Sequence, residues 1–496
     1  MAIKRFCCTV CGYLHIGESL PECCPVCGAT PDLFEPAAAP PPPVKKAPAS
    51  WRCMNCDYVH DGPAPPDCCP VCGVGADQFE PIAAAEPHSA NLAMTGSIVV
   101  VGGGIAGLSA AEAARKASPR AAITLVCLED ALPYYRLNLT RYLAGEISAS
   151  ELPIRPQSWY AEQRIALLQG AEVTALNREA GSVSIKGHPD LHYDKLILTM
   201  GAHPSVPPIP GVDKKNVVTL RTCHDAEAIL SRCQPGTNCV IIGGGVLGLE
   251  AAAALARHKV RVTLMEGFDW LLPRQLNQAA GERLAAAALG LGISLICTAQ
   301  VKELAGGESV QSVLLENGAA VPADLVLVST GVRSNSYLAR KAGLEVNYGV
   351  VVDQHLRTND PDIFAAGDLA EHLGMVYGTW APSKFQGTIA GMNAAGEAAS
   401  FSGIPRSNTL KVLGVDLFSI GLVHPEDASY RIFEEENGHY QRFIFHDSHL
   451  VGAILVGDTS IAPALKKLIE TNASCTELLA EASLASEIHA GIAALN

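Results

Sequence analysis

A chain of 496 residues exceeds the length at which a single hydrophobic core stops growing, roughly 250–300 residues, so several domains are expected. With 48% hydrophobic, 17% charged and 5% aromatic residues and 45 glycines, the composition suits glycine-rich α/β nucleotide-binding layers better than disorder or a coiled coil. The net charge of -14 argues against a protein that neutralises a phosphate backbone, so no nucleic-acid partner is expected.

The chain runs from Met1 straight into a cysteine cluster with no apolar leader, so a secretory signal is not expected and the protein is placed in the cytoplasm. There, 17 cysteines point to metal ligands and buried thiols rather than disulfides. A shift of 45 positions, Cys53 against Cys8, aligns two copies of one pattern. Cys8, Cys11, Cys24 and Cys27 match Cys53, Cys56, Cys69 and Cys72, both as C-x2-C-x12-C-x2-C, and Tyr13, His15, Pro25-Val26 and Phe34-Glu35-Pro36 recur at Tyr58, His60, Pro70-Val71 and Phe79-Glu80-Pro81. A unit this small cannot bury enough surface to fold unaided, so a tetrahedral four-thiolate metal site in each copy is expected to supply the folding free energy. Cys7, Cys23 and Cys68 are read as non-ligands, because the second copy has Arg52 where Cys7 would be. Zinc and iron both take such sites, and geometry does not separate them.

The copies span 1–38 and 51–82. Between them, 39–50 is proline-rich and favours an extended, semi-rigid spacer of about 3.1 Å per residue. A looser, Ala-rich linker covers 83–95. The uncharged stretch 92–111 mimics a membrane span but carries Gly96, Gly102, Gly103, Gly104 and Gly107, so it reads as buried strand, tight turn and helix start, and no membrane span is expected.

That stretch holds a G-x-G-x-x-G turn at Gly102, Gly104 and Gly107, with Glu129 at the end of the next strand, "ITLVCLED". Such glycines let the backbone approach a pyrophosphate at a helix N-terminus, and the acidic residue suits a ribose hydroxyl. The plan recurs at Gly243, Gly245 and Gly248, followed by Glu266. A carboxylate there accepts from a 2'-hydroxyl and repels a 2'-phosphate, and Gly267, Phe268 and Asp269 add no Arg, so NADH is favoured over NADPH. The bland alternative for either turn alone is a βαβ connection that binds nothing.

Both cysteine units, "CTVCGY…CCPVCG…LFEP" and "CMNCDY…CCPVCG…QFEP", resemble rubredoxins, especially the short kind attached to rubrerythrins, although Asp57 replaces the usual Gly. The two glycine turns with "TMGAHPSVPPIPG", "STGVRSN" and "IFAAGDLAEH" resemble the pyridine-nucleotide flavoprotein reductases. "LPYYRLNLTRYLAGE" and "LKVLGVDLFSIG" narrow the likeness to NADH:rubredoxin reductases and the flavoprotein part of nitrite reductase large subunits. The resemblance implies two small rubredoxin-like metal domains, each with four cysteine ligands, followed by an α/β flavoprotein. Its Rossmann-like FAD domain, 96–212 and 333–400, would be interrupted by an NAD domain at 213–332, with a small α/β C-terminal domain at 401–496.

By the same likeness Gly102, Gly104, Gly107 and Glu129 would hold the ADP end of FAD, and Asp368 would reach its ribityl or pyrophosphate region. Arg136 is expected near the FAD phosphates or the flavin. Arg141 stands where relatives often carry Lys, a cation able to stabilise reduced flavin. Glu250 matches an acidic residue near the nicotinamide, against the plainer reading of a first-turn Glu complementing the helix dipole. Trp380 and Lys384 are candidates to flank the flavin, with core packing and a surface charge as the alternatives.

Disulfide reductases of this fold need a redox cysteine pair by the flavin, and the remaining cysteines, Cys127, Cys223, Cys233, Cys239, Cys297 and Cys475, offer none at that spacing. Another acceptor is needed, and fusion to this flavoprotein favours iron in the four-thiolate sites. The expected activity is that of an FAD-dependent NADH:rubredoxin oxidoreductase with two mononuclear irons, passing electrons to a redox protein such as a rubrerythrin-like peroxidase, superoxide reductase or flavodiiron protein. The rivals are an NADH oxidase whose flavin meets oxygen directly, and a zinc-ribbon adaptor on an NADH-sensing flavoprotein.

Overall fold

The computed structural model describes residues 4–8, 14–17, 30–31, 34–36, 50–55, 58–71, 73–82, 96–404 and 407–494. The chain forms two compact units, Met1–Ala49 and Ser50–Asn496. In the first, strand Lys4–Cys8 lies between Leu14–Gly17 and Phe34–Pro36, antiparallel to both. The second unit opens on the same sheet, with Ser50–Cys53 between Val59–Asp61 and Phe79–Pro81. Even the register repeats: Phe6 faces Pro36 and Cys8 faces Phe34, as Trp51 faces Pro81 and Cys53 faces Phe79. Since a one-residue slip would turn each strand inside out, the shared register places Cys8 and Cys53 equivalently in their sheets.

From Ser97 onward, strands alternate with helices. Apolar runs of four or five residues make fully buried strands, because helices cover both faces of a parallel sheet. Ile98, Val99, Val100, Leu196, Ile197 and Leu198 accordingly are buried. The first sheet runs Ile363–Ala365, Lys195–Leu198, Ser97–Val101, Ala122–Val126, Ile165–Leu168, all parallel. Helices Ile105–Ala117 and Trp380–Ala394 lie against each other across bare glycines: a Cβ on Gly387 would stand 2.2 Å from the Ala106 carbonyl oxygen, and one on Gly391 2.2 Å from that of Ala110.

A second parallel sheet is drawn wholly from within the first, in the order Val217–Val218, Leu325–Val328, Asn238–Ile242, Arg261–Met265, Ser294–Ile296. The chain leaves and re-enters the first domain through the antiparallel pair Ala202–Pro204 and Val332–Ser334. Of the segment 92–111, residues 97–101 form a strand and 105–111 open a helix of the first domain, and among the described residues no helix is long and apolar enough to cross a membrane. The last domain is a five-stranded antiparallel sheet followed by helices Ala462–Glu470, Thr476–Glu481 and Ala485–Ala493. Tyr134, Leu139 and Leu143 of the first domain and Leu413, Leu417 and Tyr440 of the last join the core of the second domain. That packing holds the short helix Leu139–Leu143 against the second dinucleotide fold.

Candidate flavin, nicotinamide and metal sites

Each glycine turn divides its three glycines between two tasks. Gly102 sits at φ +123, where a Cβ would lie 2.2 Å from the Thr199 carbonyl oxygen, and a Cβ on Gly107 would lie 1.9 Å from that of Gly102. These two close the strand onto the helix. Gly104 caps helix Ile105–Ala117 with no side-chain hydrogen bond, and a Cβ there would meet nothing within 4 Å. The helix N-terminus thus faces open space with unsatisfied N–H groups, which is what a pyrophosphate needs. The second turn repeats this: Gly243 and Gly248 are closed by the Ser329 and Gly243 carbonyls at 2.3 and 2.0 Å, while Gly245 caps helix Val246–Arg257 facing open space.

The acidic ends differ. Glu266 is buried, its carboxylate accepting from the Gly244 N–H at 2.8 Å and the Phe268 N–H at 3.0 Å. Glu129 is half-buried and accepts from the Tyr134 hydroxyl at 2.8 Å and from Arg136 Nη2 at 2.7 Å. Arg136 also donates to the Arg221 carbonyl, and the Arg221 side chain reaches Asp368 at 2.9 Å. Asp368 in turn accepts from Ser383 at 3.2 Å. One polar chain therefore joins Glu129, Arg136 and Asp368, three residues that the family resemblance places at FAD. Arg221 is a member that sequence reasoning missed; it precedes the Thr222 helix cap, and no motif spacing marks it. Beside Asp368, Gln386 accepts from the Gly367 N–H at 2.9 Å, while its buried Nε2 has no partner. An orphaned donor next to an uncapped helix suits a polar ligand such as a flavin dinucleotide.

Glu250, on helix Val246–Arg257, accepts from Thr140 Oγ1 at 2.9 Å and so ties the second domain to helix Leu139–Leu143. Its surface is only partly covered, yet the protein around it desolvates the carboxyl and pushes it up to about 7, against the opposing Thr140 bond. Arg141, one residue after Thr140, takes no part in the Glu129–Arg136–Asp368 chain. Its Nη1 donates to the carbonyls of Pro70 at 2.6 Å and Val71 at 3.3 Å, and its Nε reaches Glu146 at 3.2 Å. Its donors thus face the second cysteine unit and Glu146.

That unit rests on the first dinucleotide domain. Cys53, Cys69, Val71, Val74 and Phe79 are buried in one cluster, against which Trp51, Tyr58, Tyr135, Leu137 and Trp380 pack. Tyr135 and Trp380 stack with ring centroids 5.6 Å apart and 30° between planes. Gln78 adds a bond to the Thr459 carbonyl at 3.4 Å. Of the predicted ligands, Cys53 and Cys69 come together, their knuckles closed by Cys53 N–H to the Tyr58 carbonyl at 2.8 Å and Cys69 N–H to that of Val74 at 2.7 Å. Cys56, Cys72, Cys11, Cys24 and Cys27 lie outside the described residues, as does the side chain of Cys8. Among the described residues no group of three or more His, Cys, Asp or Glu could hold a metal, as expected when two ligands of the second site are not among them. Two buried thiol side chains with tight backbone knuckles fit a soft four-thiolate metal.

Residues 96–399 match the family model described as pyridine nucleotide-disulphide oxidoreductase. The chain belongs to that family. Residues 407–473 match the rubredoxin NAD+ reductase C-terminal domain, and 6–35 and 51–80 each match the rubrerythrin rubredoxin-like domain. Among curated relatives of this pyridine nucleotide-disulphide oxidoreductase, a nitrite reductase [NAD(P)H] of Bacillus subtilis is 32% identical over 384 residues, covering 77% of this chain and 48% of its own length. The chain spans about half the length of such relatives. An NADH-rubredoxin oxidoreductase of Clostridium acetobutylicum is 29% identical, with 76% of this chain and 95% of that protein covered. The crystal structure of NADH:rubredoxin oxidoreductase from Clostridium acetobutylicum superposes at TM-score 0.68 and 27% identity, over 80% of this chain and all of the other.

Unlike the disulfides of its family's name, the described cysteines of the oxidoreductase region are free thiols. Burial pushes Cys127 up to about 12, with Glu129 adding to it, and Cys233 up to about 11; Cys223, Cys239 and Cys297 are raised for the same first reason. Thiols held protonated are poor nucleophiles.

Glu250 makes stability depend on pH. Its folded pKa lies above the unfolded value of 4.5, so the folded state binds the extra proton between pH 4.5 and about 7. That stabilisation is complete below pH 4.5 and is lost as pH rises through about 7. Denaturation of apoprotein across this window should show the wild type losing up to roughly 3 kcal/mol relative to Glu250→Gln, less where water reaches the carboxyl. Parallel curves for the two proteins would contradict a desolvated carboxyl.

Proposed function

We propose that this protein is an FAD-dependent NADH:rubredoxin oxidoreductase whose first electron acceptor is its own second rubredoxin-like domain, with a separate redox protein as the final recipient. The observation that carries the reading is the seat of that domain. Its cysteine-bearing cluster packs on Tyr135, Leu137 and Trp380. Tyr135 and Leu137 flank Arg136 of the polar chain, and Trp380 opens the helix whose next turn carries Ser383, bonded to Asp368. When bound, FAD supplies the conversion of a two-electron hydride into single electrons, and iron in four thiolates supplies a one-electron acceptor.

The chain's own residues do the rest. The open helix starts at Gly104 and Gly245 receive two pyrophosphates, and Glu129 and Glu266 accept ribose hydroxyls. Glu266, fixed by two backbone N–H groups, opposes a 2'-phosphate and so favours NADH. Stacked Tyr135 and Trp380 pack against the cysteine cluster where the flavin domain meets the metal unit, and would limit water there. Thiolate metal sites suit a cytoplasmic setting. A rubrerythrin-like peroxidase, superoxide reductase or flavodiiron protein would suit the recipient's role, in keeping with the rubrerythrin-type cysteine units.

Metal analysis with a visible spectrum tests the reading. About two irons per chain with ferric-thiolate colour beneath the flavin bands is the expected result. Zinc in both sites would leave a redox-silent adaptor in place of an electron conduit.

A further inference from the structure

Arg141 holds the second metal loop at its middle. Pro70 and Val71 are the only residues between Cys69 and Cys72, and Arg141 Nη1 donates to both of their carbonyls, at 2.6 and 3.3 Å. Two carboxylates oppose part of this charge: Glu146 pairs with Nε at 3.2 Å but is shared with Arg257 at 3.0 Å, and Glu151 lies within electrostatic reach but is tied to Ser148. Neither carboxylate is bonded to Nη1, which donates to the two loop carbonyls. Hydrogen bonds from a charged donor are about twice as strong as neutral ones, and net charge and hydrogen bonding around thiolate ligands set the potential of an iron site.

We propose that Arg141 is a positioning residue that latches the Cys69–Cys72 loop onto the flavin domain and, through its charge, favours the reduced form of the metal held there. The inference rests on the functional reading above. In balance, one NADH would become NAD+, releasing a proton and two electrons; one electron would enter this four-thiolate site and the other the first one, each site would become one unit more negative, and a cation beside this site would stabilise the added charge. Latch and charge act together, so the domain seated at the flavin is also the better acceptor.

Two measurements on full-length protein test this. In zinc-loaded protein, where no electron can move, amide exchange across 135–143 reports seating. Arg141→Gln should speed it about tenfold, the loss of one or two charge-assisted bonds. In iron-loaded protein poised with chemical mediators rather than NADH, the visible bands of the two irons titrate together. Arg141→Gln should lower the reduction equilibrium of one iron about tenfold, ~59 mV for one electron, and leave the other as an internal reference. Arg141→Lys should keep the potential while partly loosening the seat, and it carries the test should the Gln variant not fold. Unchanged exchange and unchanged potentials in Arg141→Gln would overturn the proposal, as would a lysine variant whose iron shifts as far as the glutamine one. Wild-type iron that stays oxidised under NADH would overturn the functional reading alone, since neither measurement uses NADH.

Discussion

Cys69→Ser protein is expected to retain FAD and to be reduced by NADH, yet to deliver electrons onward at least about 100-fold more slowly than the wild type. Cys69 is buried at the centre of the small cluster that meets Tyr135, Leu137 and Trp380. A serine hydroxyl is a poor ligand for a soft-metal site, and a unit of this size draws most of its folding free energy from the metal. Losing it removes both the acceptor and the surface that seats it, whereas the parallel sheets, with cores of their own, remain. Anaerobic mixing with NADH, followed at the flavin band and with an added one-electron protein acceptor, reads both halves. Cys233→Ser, a half-buried free thiol in none of the sites described, is the control. Equal onward rates in Cys69→Ser and wild type would show that electrons leave the flavin by another route.

A comparable loss is expected at the glycine turn, and there two neighbouring substitutions should fail in different ways. Gly107→Ala places a Cβ 1.9 Å from the Gly102 carbonyl oxygen and 2.7 Å from Thr199 Oγ1, a backbone clash that the strand-to-helix turn cannot relieve. Overpacking of this kind costs about 3 kcal/mol or more, so this variant should be poorly folded with or without FAD. Gly104→Ala meets nothing within 4 Å, and its φ of -79 is open to any residue. That variant should unfold at nearly the wild-type temperature without FAD, yet hold FAD about 100-fold more weakly, because the methyl occupies the approach of the pyrophosphate. Thermal unfolding of apoprotein beside flavin retention on gel filtration separates the two. Full flavin retention in Gly104→Ala would place the dinucleotide elsewhere.

The parts of the fold legible in sequence are those with local signals. The 45-position repeat foretells two sheets of one register, because pairing in such short strands follows the residues that flank the cysteines. The two glycine turns announce their strands and helices, since each glycine is required within a handful of residues. What the sequence leaves open is decided by contacts between distant segments. Arg141 and Pro70 are 71 positions apart, and Arg136 meets the Arg221 carbonyl across 85, so no periodicity brings either pair together. Trp380 reads equally as a flavin neighbour or a core residue until its ring stacks on Tyr135 over the cysteine cluster. Glu250 reads from sequence as a first-turn Glu on its helix; in the fold it lies past the first turn and is desolvated by the protein around it, with Thr140 of another domain bonded to it.

The central claim is that reduced flavin empties into iron seated beside it within the same chain. Anaerobic titration of wild-type protein with NADH, recording flavin and ferric-thiolate absorbance together, tests it most directly. The account predicts that both bleach together and that full reduction takes about two equivalents of NADH per chain, one for the flavin and one shared by two irons. Flavin fully bleached after one equivalent, with the ferric-thiolate colour intact, would contradict it.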